Sequence, residues 1–310
     1  TGDTGDTGGI LTECTSEASY DGNVDGVAET VTRTVYDADD RVTQVAIDGS
    51  DGTMPDSVPE TVTNNTYDAR GNLVETSGSS TYEGVTYTYS VVMTYDQADH
   101  LLKTEDDMDG DGVIDSVTIY THDESGNLVE VASDWDADGV TNSRETRFYD
   151  EGGDLVEVAS DTDGDTVVDS VTSYTYTEAG LLSEEQFDYD GDGVVDQTNT
   201  HTYDVAGNEV QLVQDLLGED FDMLTERTFD DRGNVVTERW SSPASGASSV
   251  VNTWDVTNLQ LTADYDFDDN GVVDSRSAWE YDSSERILIF VQDTNADGTA
   301  DEATTWLWGC

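Results

Sequence analysis

Side-chain oxygens stand at alternate positions of a nine-residue frame, D-x-[DN]-x-[DN]-[GT]-x-x-[DEN], which this chain writes repeatedly. Four copies follow closely on one another: Asp107-Asp109-Asp111-Asp115, Asp134-Asp136-Asp138-Asn142, Asp161-Asp163-Asp165-Asp169 and Asp188-Asp190-Asp192-Asp196. Three more are Asp21-Asn23-Asp25-Glu29, Asp266-Asp268-Asn270-Asp274 and Asp293-Asn295-Asp297-Asp301. Oxygen ligands so spaced, with a glycine near the middle for a sharp turn, wrap a short backbone around a hard cation such as Ca²⁺. Val113, Val140, Val167, Val194 and Val272 hold position seven, from which a backbone carbonyl completes the shell. The chemistry expected is binding of about seven Ca²⁺ ions, each at roughly 10⁻⁴ to 10⁻³ M.

Other reactive types offer less. His100, His122 and His201 lack any zinc-type Cys/His spacing, and each falls on a regular position of the repeat described below. No G-x-S-x-G elbow occurs, and the abundant carboxylates are committed to the loops, so no enzyme is expected. The aromatic series Tyr149, Tyr174, Tyr176 and Tyr203 offers faces to sugars, though such cross-strand aromatics more often stabilise a sheet. Glycans therefore stay on the list of partners. Asn64-Asn65-Thr66 is a glycosylation sequon.

The formal charge of -59 excludes nucleic acid as a partner, because phosphates would be repelled, and argues against an anionic membrane surface. Lys103 is the only lysine among eleven basic residues. Crowded carboxylates repel one another until a divalent ion sits between them, so order is expected to depend on calcium. No stretch is long and apolar enough for a membrane-spanning helix, and no insertion into a membrane is expected. Weak calcium loops need the calcium concentrations found outside cells, and the chain's two cysteines fit an oxidising compartment. The expected location is extracellular or at the cell surface.

These loops must be held by something equally periodic. An aromatic slot recurs at Tyr36, Tyr67, Tyr95, His122, Tyr149, Tyr176, Tyr203, Phe229, Trp254, Tyr281 and Trp308, with a spacing of 27 residues from His122 to Tyr203. Before each slot runs a segment rich in β-branched and aromatic residues with period two, such as 116–122 or 170–176. After it comes an Asp-x-x-Gly-Asn turn, as at Asp68-Gly71-Asn72 and Asp123-Gly126-Asn127, with the glycine expected in a left-handed conformation. A second strand then leads into the next acidic loop. Both connections are too short for a helical crossover, so neighbouring strands are antiparallel. Residues 1–13 read as a flexible Gly/Asp/Thr linker, and 14–310 as one all-β array of about eleven hairpins with the calcium loops along one edge. The expected shape is an elongated or spirally curled meander. The connection at 48–56 keeps acids but out of register, those at 80–88, 214–222 and around 243–247 lack the ligands, and all four are expected to keep the hairpin without the ion.

The turn half, as in Tyr67-Asp68-Ala69-Arg70-Gly71-Asn72-Leu73, resembles the YD repeat of RHS and teneurin proteins, a likeness that implies hairpins wound into a spiral shell. The loop half resembles the D-x-D-x-D-G-x-x-D loops of thrombospondin type 3 repeats and integrin β-propellers, which implies Ca²⁺ as the ion. The chain departs from an EF-hand, since the twelfth position holds Thr118, Thr172, Asn199, Ser277 or Thr304 and only once a glutamate, Glu145.

On the repeat lattice Cys310 and Cys14 take two slots of one tight turn, close enough for a disulfide. Either Cys310 of one molecule joins Cys14 of the next, or the meander closes on itself and the bond joins its own ends. The function expected is an extracellular structural protein, a calcium-stabilised fibre subunit polymerised head to tail with its own copies; the alternative is a calcium-dependent adhesin or stalk binding glycans or another cell.

Overall fold

The computed structural model describes residues 14–21, 28–49, 55, 57–217 and 222–308. The expected linker, 1–13, lies outside the described residues. Twenty-two strands follow in order: β1 (Cys14–Asp21), β2 (Thr30–Tyr36), β3 (Val42–Asp48), β4 (Thr61–Tyr67), β5 (Leu73–Tyr82), β6 (Val85–Tyr95), β7 (Leu101–Asp107), β8 (Ser116–His122), β9 (Leu128–Asp134), β10 (Ser143–Tyr149) and β11 (Leu155–Asp161). The second half comprises β12 (Ser170–Tyr176), β13 (Leu182–Asp188), β14 (Gln197–Tyr203), β15 (Glu209–Leu216), β16 (Met223–Phe229), β17 (Val235–Ser242), β18 (Gly246–Trp254), β19 (Gln260–Asp266), β20 (Ser275–Tyr281), β21 (Ile287–Asp293) and β22 (Glu302–Trp308). Each pairs antiparallel with its chain neighbours, as the short connections require.

The meander is neither elongated nor spiral. It closes: β1 pairs β22, with Ser16 opposite Trp308 and Asp21 opposite Ala303. Closure has a local cause. Each of the ten hairpins closed by a turn shifts register at the aromatic slot, between Phe148 and Tyr149 or Thr175 and Tyr176 for example. A bulge bends its strand and increases local twist, so ten bends at one level curve the sheet steadily until its two edges meet and pair. At about 4.8 Å per strand the ring is roughly 105 Å around, or some 33 Å across.

A ring this wide is a single layer. Among the described residues only Ala46, Val250 and Ala263 are buried apolar side chains, and of these only Ala263 is fully enclosed. Cohesion therefore comes from the strand ladders and from contacts repeated between neighbouring hairpins. The aromatic slot supplies one of them. Tyr149 donates its hydroxyl to the Leu128 carbonyl (2.8 Å), Tyr176 to Leu155 (2.7 Å) and Tyr203 to Leu182 (2.8 Å). Tyr67, Tyr95 and Tyr281 do the same, and the Trp254 indole N–H reaches Val235 O. Each of these seven slots thus clamps the start of the second strand in the hairpin before it, which gives these rings a structural task.

The turns follow the sequence. Asp68 N–H donates to Asn72 O, Gly71 N–H to Asp68 O, and the Asp68 carboxylate accepts the amides of Arg70 and Asn72. Gly71 has φ +96° and Gly126 φ +88°, the left-handed backbone that this turn demands. His100 fills the asparagine position of its turn: its Nδ1 lies 3.0 Å from Asp96 Oδ2, where Asn72 and Asn127 place their amides.

Candidate metal centres on the loop rim

All frame loops leave the same end of the ring, because each follows an odd-numbered strand of an antiparallel meander. Six are described from first ligand to last. In each, the ninth residue's N–H donates to the carbonyl preceding the first ligand, as Asp115 to Asp106 and Asp196 to Phe187 (both 2.7 Å). The ninth side chain accepts the second residue's N–H: Met108 to Asp115, Trp135 to Asn142, Thr162 to Asp169, Tyr189 to Asp196, Phe267 to Asp274 and Thr294 to Asp301. The first aspartate accepts the sixth amide, as Asp107 from Gly112 and Asp188 from Gly193. The loop is thus folded by its own ligands.

That folding gathers carboxylates. In Asp107-Asp109-Asp115, Asp161-Asp163-Asp169, Asp188-Asp190-Asp196 and Asp266-Asp268-Asp274, oxygens from positions one, three and nine all lie within 4.8 Å of one another. In the second loop the group is Asp134-Asp136-Asp138, with Asn142 at position nine. Oxygens held at 2.3–2.6 Å around one Ca²⁺ are separated by up to about 5 Å, so the spacing fits such an ion. Position five bonds to its own loop's backbone. Asp111, Asp165 and Asp192 stand outside these groups, each accepting the amide of the valine two residues on. Asn270 does likewise for Val272. In the last loop Asp293 accepts Gly298 N–H and Asn295 accepts Asp297 N–H, the same wrapping with fewer acids. In the first loop Glu29 N–H closes onto Tyr20 O, while Asn23, Asp25 and the Asp21 side chain lie outside the described residues.

Burial and hydrogen bonds act on these acids in opposite directions. Burial pushes the Asp134 and Asp266 carboxyls up, but the amides of Gly139 and Asp138, and of Gly271 and Asn270, hold both below the usual carboxylate range. Hydroxyl and amide bonds from Thr162 and Thr294 hold Asp169 and Asp301 low. Ionised oxygens in a ready-made loop are what a divalent cation requires. One atom stands out. Asp188 is 8% exposed, and its Oδ1 is buried without a hydrogen-bond partner beside Asp190 and Asp196.

Comparison with known proteins adds little. No protein-family model and no curated protein matches. Among solved structures, the TcdB2-TccC3 toxin assembly aligns over 88% of this chain and 19% of its own, at 13% identity and TM-score 0.42. The Photorhabdus luminescens Tc holotoxin pore gives 88%, 19%, 12% and 0.43. A porin-like protein from Bacteroides uniformis aligns over 82% of this chain and 95% of its own, at 14% identity and TM-score 0.33. The chain spans about a fifth of the toxin chains, and similarity of this degree carries no functional argument.

Two site features were not read from the sequence. The connection 48–60, which looked out of register, keeps both ends of the frame: Asp48 is buried and accepts Ser57 N–H (2.6 Å), and Glu60 accepts Gly49 N–H (2.7 Å). An insertion moved the closing acid four residues beyond its usual place and hid it from a fixed-spacing search. The second is a charged row across five strands. Glu185, His201, Glu209, Arg227 and Glu238 alternate from β13 to β17, with His201 bonded to both glutamates and Arg227 to Glu209 and Glu238. These residues are far apart in the chain, and only cross-strand register brings them side by side.

Proposed function

We propose that this chain is an extracellular structural protein whose loop rim is ordered by Ca²⁺, with ligand oxygens drawn from the acids each frame gathers, at positions one, three and nine in four loops and one, three and five in the second. The buried, unpartnered Asp188 Oδ1 carries the reading. A polar oxygen sealed from water without a partner costs about 2 kcal/mol or more, whereas a divalent ion among Asp188, Asp190 and Asp196 would satisfy it. The loop residues would hold the ion and shield it; the ion would offset local repulsion. Seven divalent ions would offset only part of the -59 charge, so their main effect is local.

The strand edges foreseen as head-to-tail joints are occupied within the molecule, since β1 and β22 pair with each other. Ring closure is therefore the form of the structural reading that the geometry supports best. Cys310 lies outside the described residues, but the β1–β22 register, continued two residues beyond Ser16 and Trp308, would set it opposite Cys14. Directly opposed residues of an antiparallel pair have Cα atoms about 4.5–5.5 Å apart, within reach of a disulfide. Such a bond would stand where the eleventh turn is missing. Membrane insertion fits poorly. At β9–β10 one face carries Glu145 and Arg147 and the other Glu130 and Arg144, so neither face is an apolar band there.

Chelation tests the calcium reading. Removing Ca²⁺ at low ionic strength should lower the melting temperature by tens of degrees, with poor rescue by Mg²⁺, which demands a tighter octahedral shell. Indifference to chelator would overturn it. Non-reducing mass analysis should show a monomer with Cys14 bonded to Cys310; a multimer ladder that collapses with reductant would restore the filament.

A further inference from the structure

The rim carries an apolar pattern that cation binding does not use. Val113, Val140, Val167 and Val194, at position seven of four consecutive loops, are each 62–63% exposed, as is Val272. Near-identical exposure at equivalent positions means that the same side chain projects from each loop in the same way. Their amides are tied back to Asp111, Asp138, Asp165 and Asp192, so the backbone beneath each is fixed. Position two adds Met108 (62%) and Trp135 (59%). Exposed apolar side chains are unremarkable singly, but a regular row of them on rigid loops is a surface with a pattern.

We propose that the run 107–196 of the rim is a docking surface for an extended cationic polypeptide bearing an apolar side chain at every third residue. Two observations choose this occupant. The first is charge. None of the four loops contains a lysine or arginine, and a divalent ion in each offsets only two of its three or four carboxylates, so the rim is negative even when loaded. A second copy of this rim or an anionic bilayer would be repelled. The second is spacing. Successive loops stand two strands apart, about 9.6 Å along the sheet, and each carries one position-seven valine. A polypeptide in the polyproline II conformation presents every third side chain on one side, about 9.3 Å apart. Its apolar residues would meet successive valines while the intervening basic residues meet the carboxylates.

The test uses the intact chain in calcium at physiological salt and three fluorescent peptides of equal charge. One repeats Leu-Lys-Lys, the second repeats Gly-Lys-Lys, and the third has the composition of the first with its leucines gathered at one end. The first should bind at least about tenfold more tightly than either other, or about 1.4 kcal/mol. The combined variant Val113→Ser, Val140→Ser, Val167→Ser and Val194→Ser, which keeps every position-seven carbonyl, should lower the Leu-Lys-Lys affinity to that of Gly-Lys-Lys. Unaltered calcium-dependent melting of the variant shows that its fold is intact; if it melts differently, Val140→Ser alone serves, with a smaller loss expected. Equal affinity for the three peptides, or a preference untouched by the substitutions, overturns the proposal. So does valine-dependent self-association in sedimentation, or valine-dependent binding to zwitterionic vesicles without the peptide preference.

Discussion

A Cβ built on Gly191 would lie 2.3 Å from the carbonyl oxygen of Val168, so the backbone of one loop rests directly on that of the loop before it. Gly164 stands in the same relation to Thr141 O, at 2.5 Å. The residues approached, Thr141-Asn142 and Val168-Asp169, include the ninth ligand of the earlier frame. Neighbouring candidate sites are thereby coupled through main-chain contact rather than through flexible side chains.

Gly191→Ala should therefore disturb two loops. The added methyl clashes with backbone, and φ of +67° is already unfavourable for a side chain, a combined cost of about 1–3 kcal/mol. Amide exchange should quicken at 161–169 as well as at 188–196, with distant repeats unaffected, because repeat arrays are held by nearest-neighbour terms. Gly193→Ala supplies the comparison: it has a positive φ but open space around it, so its effect should stay within its own loop.

Thr166 occupies the sixth frame position with φ +73°, where the other fully described frames have glycine. A β-branched residue in left-handed backbone is strained by about 1–2 kcal/mol, partly offset by the greater unfolded-chain entropy of glycine. Thr166→Gly should stabilise the loop by up to about 1 kcal/mol, read as slower exchange across 161–169. Destabilisation would show that the hydroxyl or methyl has a role of its own.

Tyr176→Phe tests the aromatic clamp. It removes the 2.7 Å bond to Leu155 O and strands a part-buried carbonyl, which should cost about 1 kcal/mol, localised to β11–β13. A loss of similar size at Tyr149 and Tyr203 would establish the clamp as a repeat-wide device; no effect at any of them would refute it.

The turn aspartates give a pH signature. Hydrogen bonds from the Asn234 side chain and backbone hold Asp230 down at about 2, against about 3.9 in an unfolded chain. A lowered folded pKa means that this group's contribution is fully present above about 4 and fades as pH falls through about 2. Side-chain carbonyl shifts should place the Asp230 midpoint near 2, and Asn234→Ala should move it upward. A midpoint near 4 in the parent chain would contradict the turn geometry.

Much of this molecule is local. The strand at 116–122, the turn Asp68-Gly71-Asn72 and the frame Asp188-Asp190-Asp196 are legible because alternation, glycine position and ligand spacing each act within a few residues. Even the alignment of the terminal strands is written in the repeat lattice. What the chain alone left open is whether those strands meet each other or another molecule, since both choices satisfy one register. The tertiary structure decided it through accumulated curvature: a bulge at each aromatic slot, too small to foretell a shape singly, turns ten hairpins through a full circle and seats Ser16 against Trp308. Which carboxylates gather was likewise decided in three dimensions: Asp138 joins Asp134 and Asp136, whereas in four other loops the ninth residue joins the first and third.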